Sequence, residues 1–389
     1  MEGSTTFDGR FHHIWWRCAR AVSREDFLLT GCKPVTAQTQ TPHPPGAAQR
    51  KITINDVADA AGVGRQTVSN VLNGTGRVGA AARARVLQVV AELGYQPHHG
   101  ARSLRTHRTM QLGYLMTEIQ LEQSNLIMLQ FLQSLVAAAA RHHYRVVVAH
   151  DADPSEAIRP LIASRSVDAF VMSDLQPGDP RAELLCELGV PFACFGRTSP
   201  GLPQYWADID NAAAEAAAVH HVLGRGYTRP GYVGYASDSY WDIAREAGFR
   251  AGLASHGIPG EGAGLLQVDD DASAAHRIRS FISSARPDAV LTGSDKIAQT
   301  VYDVAAELNL RVGRDLAVTG FDGSIRAELL HPRLTTVAIP VDEIAQRVVG
   351  RVLRQLDQGP DSGPGEIVPT PLRKAGSTSP RHGSETGSS

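Results

Sequence analysis

Apolar residues recur along this chain in two rhythms. Between residues 53 and 93 they come at helical spacing. Val57 and Ala61 are four apart and share a face; Val68, Val71 and Leu72 make another after a glycine break. Val86, Val90 and Leu93 form a third face within Ala80–Leu93, which Gly94 ends. From residue 111 onward, short apolar runs alternate with longer amphipathic stretches. The runs are QLGYLM (Gln111–Met116), RVVVAH (Arg145–His150), DAFVMS (Asp168–Ser173) and PFACFG (Pro191–Gly196). RPGYVGY (Arg229–Tyr235), DAVLTG (Asp288–Gly293) and LAVTGF (Leu316–Phe321) continue the series. Helical stretches such as NLIMLQFLQSLVAAAARHH and NAAAEAAAVHHVLGRG lie between them. Strands alternating with helices predict parallel sheets covered on both faces by helices. Roughly 265 residues of this pattern exceed one ordinary sheet, so two lobes are expected.

The helical segment carries further punctuation. Thr53 can cap a helix, with Asp56 three residues on in capping-box spacing. Gly62 suits a tight turn, Val63 can pack beneath it, and Gly64 is an acceptable cap for the next helix. Val68, Val71 and Leu72 then point inward, which leaves Arg65, Gln66, Ser69 and Asn70 facing out. With small Ala58 at the crossing, this is helix-turn-helix spacing, which presents polar side chains to a major groove. Arg and Gln suit base edges because each makes paired hydrogen bonds. The plainer reading is an unrelated two-helix hairpin with a solvated face. YQPHHGARSLRT (Tyr95–Thr106) follows. Pro97 suits the first turn of a short helix. Gly100 weakens that helix by about 1 kcal/mol relative to Ala. So short a helix does not hold in water alone; otherwise the segment is a basic linker.

Charge sharpens the picture. Residues 51–108 hold eight Lys and Arg against three Asp and Glu, in a chain of formal net charge −2. That asymmetry fits binding to a polyanion. The chain has 389 residues, 42% hydrophobic and 20% charged, as for a globular protein of two or three domains. Cys18, Cys32, Cys186 and Cys194 form no CxxC pair, which fits a reducing cytoplasm. No apolar run reaches about 18 residues, so no membrane span is expected, and no secretion signal is visible. Residues 1–49, with the proline-rich Thr39–Gln49, read as an unstructured extension or as sequence upstream of the natural start, and the adjacent Trp15 and Trp16 otherwise mark an interaction motif. STSPRHGSETGSS at the C-terminus reads as a disordered tail.

Candidate chemistry lies at strand ends, where parallel sheets bind ligands. SDK (Ser294–Lys296), FDG (Phe321–Gly323) and YASDSYWDIAREAGF (Tyr235–Phe249) occupy such places. Carboxylates and guanidinium groups pair well with adjacent sugar hydroxyls, and Trp241 can pack on a pyranose face. The plainer readings are helix capping for Asp295 and Asp322, a surface ion pair for Arg245 and packing for Trp241. There is no GxSxG, Walker loop, HExxH or Rossmann fingerprint. His98–His99, His142–His143 and His220–His221 lack partners at metal spacing, and Asp269–Asp271 reads as a solvated loop. No catalytic residue, metal or cofactor is expected.

TINDVADAAGVGRQTVSNVLNGTGRV and VLQVVAELGYQPHHGARSLRT resemble the DNA-binding headpiece and hinge of the lac repressor (LacI/GalR) family. The resemblance runs from roughly Lys51 to Lys374. It implies an α/β chain: an all-helical headpiece at 50–96, a hinge helix and linker at 97–108, and a two-lobed periplasmic-binding-protein-like core at 109–374. The first lobe would span about 109–207 with 339–360 and the second about 208–338 with 361–374, leaving 375–389 as the tail. Crossings between lobes are thus expected near Ala207, Ile339 and Pro360. The resemblance implies DNA contacts at Thr53, Arg65, Gln66, Thr67, Ser69, Asn70 and Asn73. Ala101 and Leu104 would join them in the hinge, with Leu104 wedged into the minor groove. Effector contacts are implied at Asn125, Arg245, Asp295 and Asp322, beside Trp241. The chain departs from the family at Gly64 (commonly Ser), Asn70 (commonly Arg) and His98–Gly100 (commonly Asn-Ala-Leu). It also departs at Leu126, with two extra residues before it, and at Ser294 and Gly323. The expected function is a cytoplasmic, dimeric repressor that binds a near-palindromic double-stranded DNA operator under control of a carbohydrate effector. A solute-binding protein would need a secretion signal and leaves residues 51–108 unexplained; a sugar- or nucleotide-handling enzyme lacks its catalytic set.

Overall fold

The structure, a computed structural model, describes residues 52–73, 75–95, 108–116, 126–259, 264–360 and 363–381. Two compact units are present, Met1–Gln96 and Pro97–Ser389.

The first unit holds α1 (Ile54–Ala61), α2 (Arg65–Asn73) and α3 (Ala80–Leu93). The capping box forms as the sequence reads: the Asp56 amide donates to Thr53 Oγ1, and the Thr53 amide donates to Asp56 Oδ2 at 2.7 Å. Gly62 ends α1 at φ 63°, a left-handed turn that glycine takes without strain. Val57, Val68 and Val86 meet fully buried, with Ala58, Ala61, Val71 and Tyr95 around them. One apolar face per helix thus fixes the crossing, and the remaining face of α2 is left to solvent.

The second unit has two sheets of six strands. The first contains β1 (Gln111–Met116), β2 (Arg145–His150), β3 (Ala169–Ser173), β4 (Phe192–Phe195), β5 (Trp206–Ile209) and β11 (Glu366–Val368). Its order is β11-β5-β4-β3-β1-β2, and every pairing is parallel. The second contains β6 (Pro230–Tyr235), β7 (Leu265–Val268), β8 (Ala289–Thr292), β9 (Ala317–Asp322), β10 (Thr335–Ala338) and β12 (Leu372–Arg373). Its order is β12-β10-β9-β8-β6-β7, with only β12 antiparallel. Helices α4 (Leu126–Arg141), α5 (Pro154–Ala163), α6 (Pro180–Glu187) and α12 (Val341–Gln358) flank the first sheet. Helices α7 (Asn211–Leu223), α8 (Tyr240–Ala254), α9 (Ala274–Ala285), α10 (Asp295–Glu307) and α11 (Ile325–Leu329) belong to the second lobe. Phe131, Phe170, Phe192 and Val348 are fully buried or nearly so in the first core; Ile278, Val290, Val301 and Val318 are fully buried in the second.

Two lobe boundaries fall later than the sequence reading placed them. Ala207 lies inside β5 and pairs with Glu366, so the first crossing comes at Asp210. The last crossing comes at residues 369–371 rather than at Pro360, because β11 first runs beside β5. The tail expected at 375–389 is also ordered through Arg381. Gly376–Thr378 forms a short 3-10 helix with Ser377 and Thr378 buried. Ser377 Oγ donates to the Val318 carbonyl at 2.6 Å and accepts the Thr335 amide at 2.8 Å. Strand β10 would otherwise leave polar groups buried and unmatched, and this segment supplies their partners. Arg381 then pairs with Asp288 at 2.6 Å.

Candidate functional site

In the first unit, Arg65 and Gln66 are exposed at the start of α2, and Thr67, Ser69 and Asn70 are half-buried on it. Gln66 Nε2 donates to Asn70 Oδ1 at 3.2 Å, four residues along the helix. An added Cβ at Gly76 would come 2.9 Å from Asn70 Nδ2, so the following loop lies against the same carboxamide. Thr53 is exposed and its hydroxyl serves the capping box. Asn73 ends α2, with its side chain outside the described residues; Ala101, Leu104 and Asn125 lie outside them altogether.

In the second unit, a cavity of about 430 Å³ opens between the lobes, lined from the carboxyl ends of both sheets. That size suits a small molecule. Arg245, Trp241 and Asp322 all line it. Arg245 rises from α8 and is buried. Its Nε donates to Asn211 Oδ1 at 2.9 Å and its Nη1 to the Gly293 carbonyl at 2.6 Å. The guanidinium lies over the Phe321 ring at 3.6 Å and over Trp241 at 4.6 Å. Such aromatic and hydrogen-bonded walls fix a cation in one pose. Asp322 Oδ1 faces Arg245 Nη1 at 3.8 Å. Asp322 closes β9 at φ 117°, a left-handed backbone that a non-glycine residue keeps only where its surroundings impose it. Burial raises its pKa above the usual carboxylate range; Arg245 opposes this and Asp295 adds to it.

Asp295 is placed elsewhere than the sequence reading put it. It is fully buried and absent from the cavity wall. Its carboxylate accepts the Ser324 amide at 2.7 Å, the Ser324 hydroxyl at 2.8 Å and the Thr336 hydroxyl at 2.6 Å. Those three bonds tie α10 to β10 and to the start of α11, so the carboxylate is spent on the floor beneath the cleft. Nor does Asp295 cap α10: Ser294 does, through the Ile297 amide, while also lining the cavity and meeting the Tyr235 hydroxyl at 2.9 Å.

From the first lobe only Asn125 was expected, and it lies outside the described residues; the structure adds other first-lobe groups to the wall. Asp174 and Gln176 follow β3, Arg197 follows β4, and Asp208 lies in β5. The strand-end rule that picked out Asp322 points equally to Asp174 and Arg197. Burial raises the Asp174 pKa, against the pull of Arg181 and the Trp241 side chain across the cleft. Burial also pushes Asp208 up to about 6, although the Ile209 amide, Arg197 and Arg245 all favour its charged form. Gln176 and Ser239 exchange hydrogen bonds of 2.9 and 3.0 Å between the lobes. Among the described residues, three of the four cationic side chains on the wall already have a carboxylate partner. Arg197 meets Asp208 at 3.5 Å, Arg245 meets Asp322 at 3.8 Å and Lys296 meets Asp270 at 2.6 Å. Such a wall matches a neutral molecule with many hydroxyls better than an anion. Among the described residues no group of three or more His, Cys, Asp and Glu is placed to hold a metal ion, and no helix is long and apolar enough to cross a membrane.

Residues 53–98 match the family model described as bacterial regulatory proteins, lacI family, and residues 219–378 match the periplasmic binding protein-like domain. The HTH-type transcriptional regulator CelR of Thermobifida fusca is 30% identical over 332 residues, covering 82% of this chain and 96% of that relative. The HTH-type transcriptional regulator AglR of Rhizobium meliloti (strain 1021) is 29% identical, covering 79% of this chain and 89% of AglR. Among solved structures, a transcriptional regulator CelR–cellobiose complex superposes with a TM-score of 0.63 at 26% identity, covering 84% of this chain and 99% of that one. A lac repressor dimer bound to operator and the anti-inducer ONPF has a TM-score of 0.73 at 23% identity, covering 85% and 100%, a likeness of fold.

Proposed function

The chain belongs to the lacI family of bacterial regulatory proteins, and from that premise we propose that it is a sequence-specific transcriptional repressor whose operator affinity is set by a small sugar held between its two lobes. The observation that carries this reading is the coexistence of an outward Arg65–Gln66 pair on a helix-turn-helix with a separate polar cleft. Gln66 and Arg65 would read base edges in the major groove. Two headpieces on a homodimer would then read a near-palindromic site, with Leu104 of the hinge as a minor-groove wedge.

In the cleft, Arg245 supplies donors and Asp322 supplies acceptors to neighbouring hydroxyls, and Trp241 offers an apolar face. Asp174, Arg197 and Asp208 would complete the contacts from the first lobe. A sugar that touches both lobes favours one lobe arrangement over another. By linkage, the arrangement it favours changes the affinity of the headpieces for DNA by the same coupling free energy. The cellobiose complex of the CelR relative makes cellobiose the first probe to try.

The test is a thermal-shift screen of the purified protein against mono- and disaccharides, sugar phosphates and nucleobases. A true effector at 100 times its Kd adds about 2.7 kcal/mol. A hit confined to sugar phosphates or nucleobases would overturn the neutral-sugar reading.

A further inference from the structure

Behind the cleft, the second lobe buries a carboxyl that the cleft does not use. Glu215 stands one turn beyond Asn211 on α7 and is 1% exposed, and neither of its oxygens has a hydrogen-bond partner among the described residues. It sits in the seam between α7 and α8. An added Cβ at Gly248 would run into the Ala212 backbone, and one at Gly252 would come 2.8 Å from Val219 Cβ. Ala212, Glu215 and Val219 recur at helical spacing on α7, as Arg245, Gly248 and Gly252 do on α8. The two helices therefore approach closely along the face that carries Glu215, and Asn211, one turn earlier on α7, holds Arg245 Nε.

The surroundings of Glu215 come from several elements. The Arg245 charge from α8 acts on Glu215, and Glu215 acts in turn on the Tyr232 hydroxyl of β6, as Asp242 and Glu246 of α8 also do. The Tyr232 hydroxyl and Asp242 Oδ1 also lack partners among the described residues. Both lie near Gly293, where an added Cβ would be 3.1 Å from the one and 3.5 Å from the other. The Gly293 carbonyl holds Arg245 Nη1. Strands β8 and β10, also packed against α7, contribute no titratable side chain. Arg373 of β12 is turned to the Gly323 carbonyl and Glu328. On its cleft side Arg245 faces Asp322. One guanidinium thus stands among several carboxyls, Asp322 and Asp208 at the cleft and Asp242 and Glu215 within the lobe, and a buried pocket of low dielectric does not favour charge on all of them.

We propose that Glu215 is a positioning residue that keeps its proton beside Arg245, and by staying neutral leaves the guanidinium's charge to the cleft and the ligand in it. Loss of that proton turns the charge inward and weakens the hold on ligand. Burial pushes the Glu215 carboxyl up to about 8 against the attraction of Arg245, in keeping with that geometry. The cleft half of this inference rests on the reading of Arg245 as an effector contact; the proton does not.

The test compares the full chain with Glu215→Gln, an isostere that cannot ionise. Between the ordinary carboxyl value of 4.5 and about 8, the unfolded chain has lost the Glu215 proton and the folded chain keeps it. Wild-type stability therefore falls across that window and levels off above it. The Tm of Glu215→Gln should exceed wild type by a gap that widens from pH 5 to pH 8 and then stays constant. In an Arg245→Gln background the opposing charge is gone, and the widening should continue to higher pH. Parallel Tm–pH curves would overturn the buried proton; the same window in both backgrounds would overturn the link to Arg245. Asp322, whose carboxyl burial also raises, titrates in both proteins, so with cellobiose as probe wild type should lose several-fold more affinity from pH 7 to pH 9 than Glu215→Gln does. If cellobiose binds neither protein at any pH, the choice of that sugar fails while the unfolding curves still decide on Glu215.

Discussion

Arg245 Nη1 and Asp322 Oδ1 stand 3.8 Å apart, near enough for strong attraction and too far for a direct hydrogen bond. Arg245 is held instead from its sides, by Asn211 and the Gly293 carbonyl. The pair is therefore preorganised and still open to a ligand hydroxyl, with little ordering left to be done on binding.

Removing either member should cost ligand affinity and spare the operator. Arg245→Ala or Asp322→Ala leaves the other group unpaired in a partly dry cleft, a loss of about 1–3 kcal/mol. Calorimetry with the sugar found by the screen should show affinity reduced tenfold or more in both. Gel shifts without ligand should match wild type. Normal ligand binding by both variants would move the pocket elsewhere.

Asp295 should behave differently. Its three bonds to Ser324 and Thr336 lie under the cleft floor. Asp295→Ala strands those donors, so the expected result is a lower Tm, with a stability loss of about 1–3 kcal/mol. Ligand affinity should fall only through the loosened floor. A variant with wild-type Tm and no ligand binding would make Asp295 a direct contact after all.

The segment after Lys374 should matter to stability. Ser377 and Thr378 close hydrogen bonds of β10, and Arg381 neutralises the buried Asp288. A chain stopped at Lys374 should unfold at a distinctly lower temperature while the headpiece keeps its helical signal. An unchanged melting curve would mean the segment is dispensable.

How much of this was legible in the chain depended on distance along it. The headpiece was readable because its determinants are local: a capping box across three residues, a left-handed glycine, and valines at helical spacing. Strands β5, β7, β10, β11 and β12 were not read, since WADI, LLQV, TTVA, EIV and LR are too short to show a period. Without β5, Asp208 had no strand end to mark it. Asp295 was misplaced because the groups that consume it, Ser324 and Thr336, lie 29 and 41 residues away. Glu215 stands within NAAAEAAAVHHVL, where nothing local marks it; only the close approach at Gly248 and Gly252 puts it inside.

On the headpiece, Gln66→Ala should weaken operator binding by about 1–3 kcal/mol and alter base preference, because it removes a base-edge donor and acceptor. Asn70, bonded to Gln66 in the free protein, is expected to hold that side chain in place, so Asn70→Ala should produce a smaller loss of the same kind. A gel shift over an operator library at fixed salt reads both. Unchanged affinity and preference for Gln66→Ala would remove α2 from the DNA.

The central claim, that one chain couples a sugar in the cleft to an operator at the headpiece, is tested most directly by titrating the screened sugar into the full-length protein on its operator. The account predicts that operator affinity shifts with ligand in wild type and that Arg245→Ala moves the midpoint of the shift to at least tenfold higher sugar. Operator affinity that stays constant while calorimetry shows the cleft saturated with sugar would contradict it.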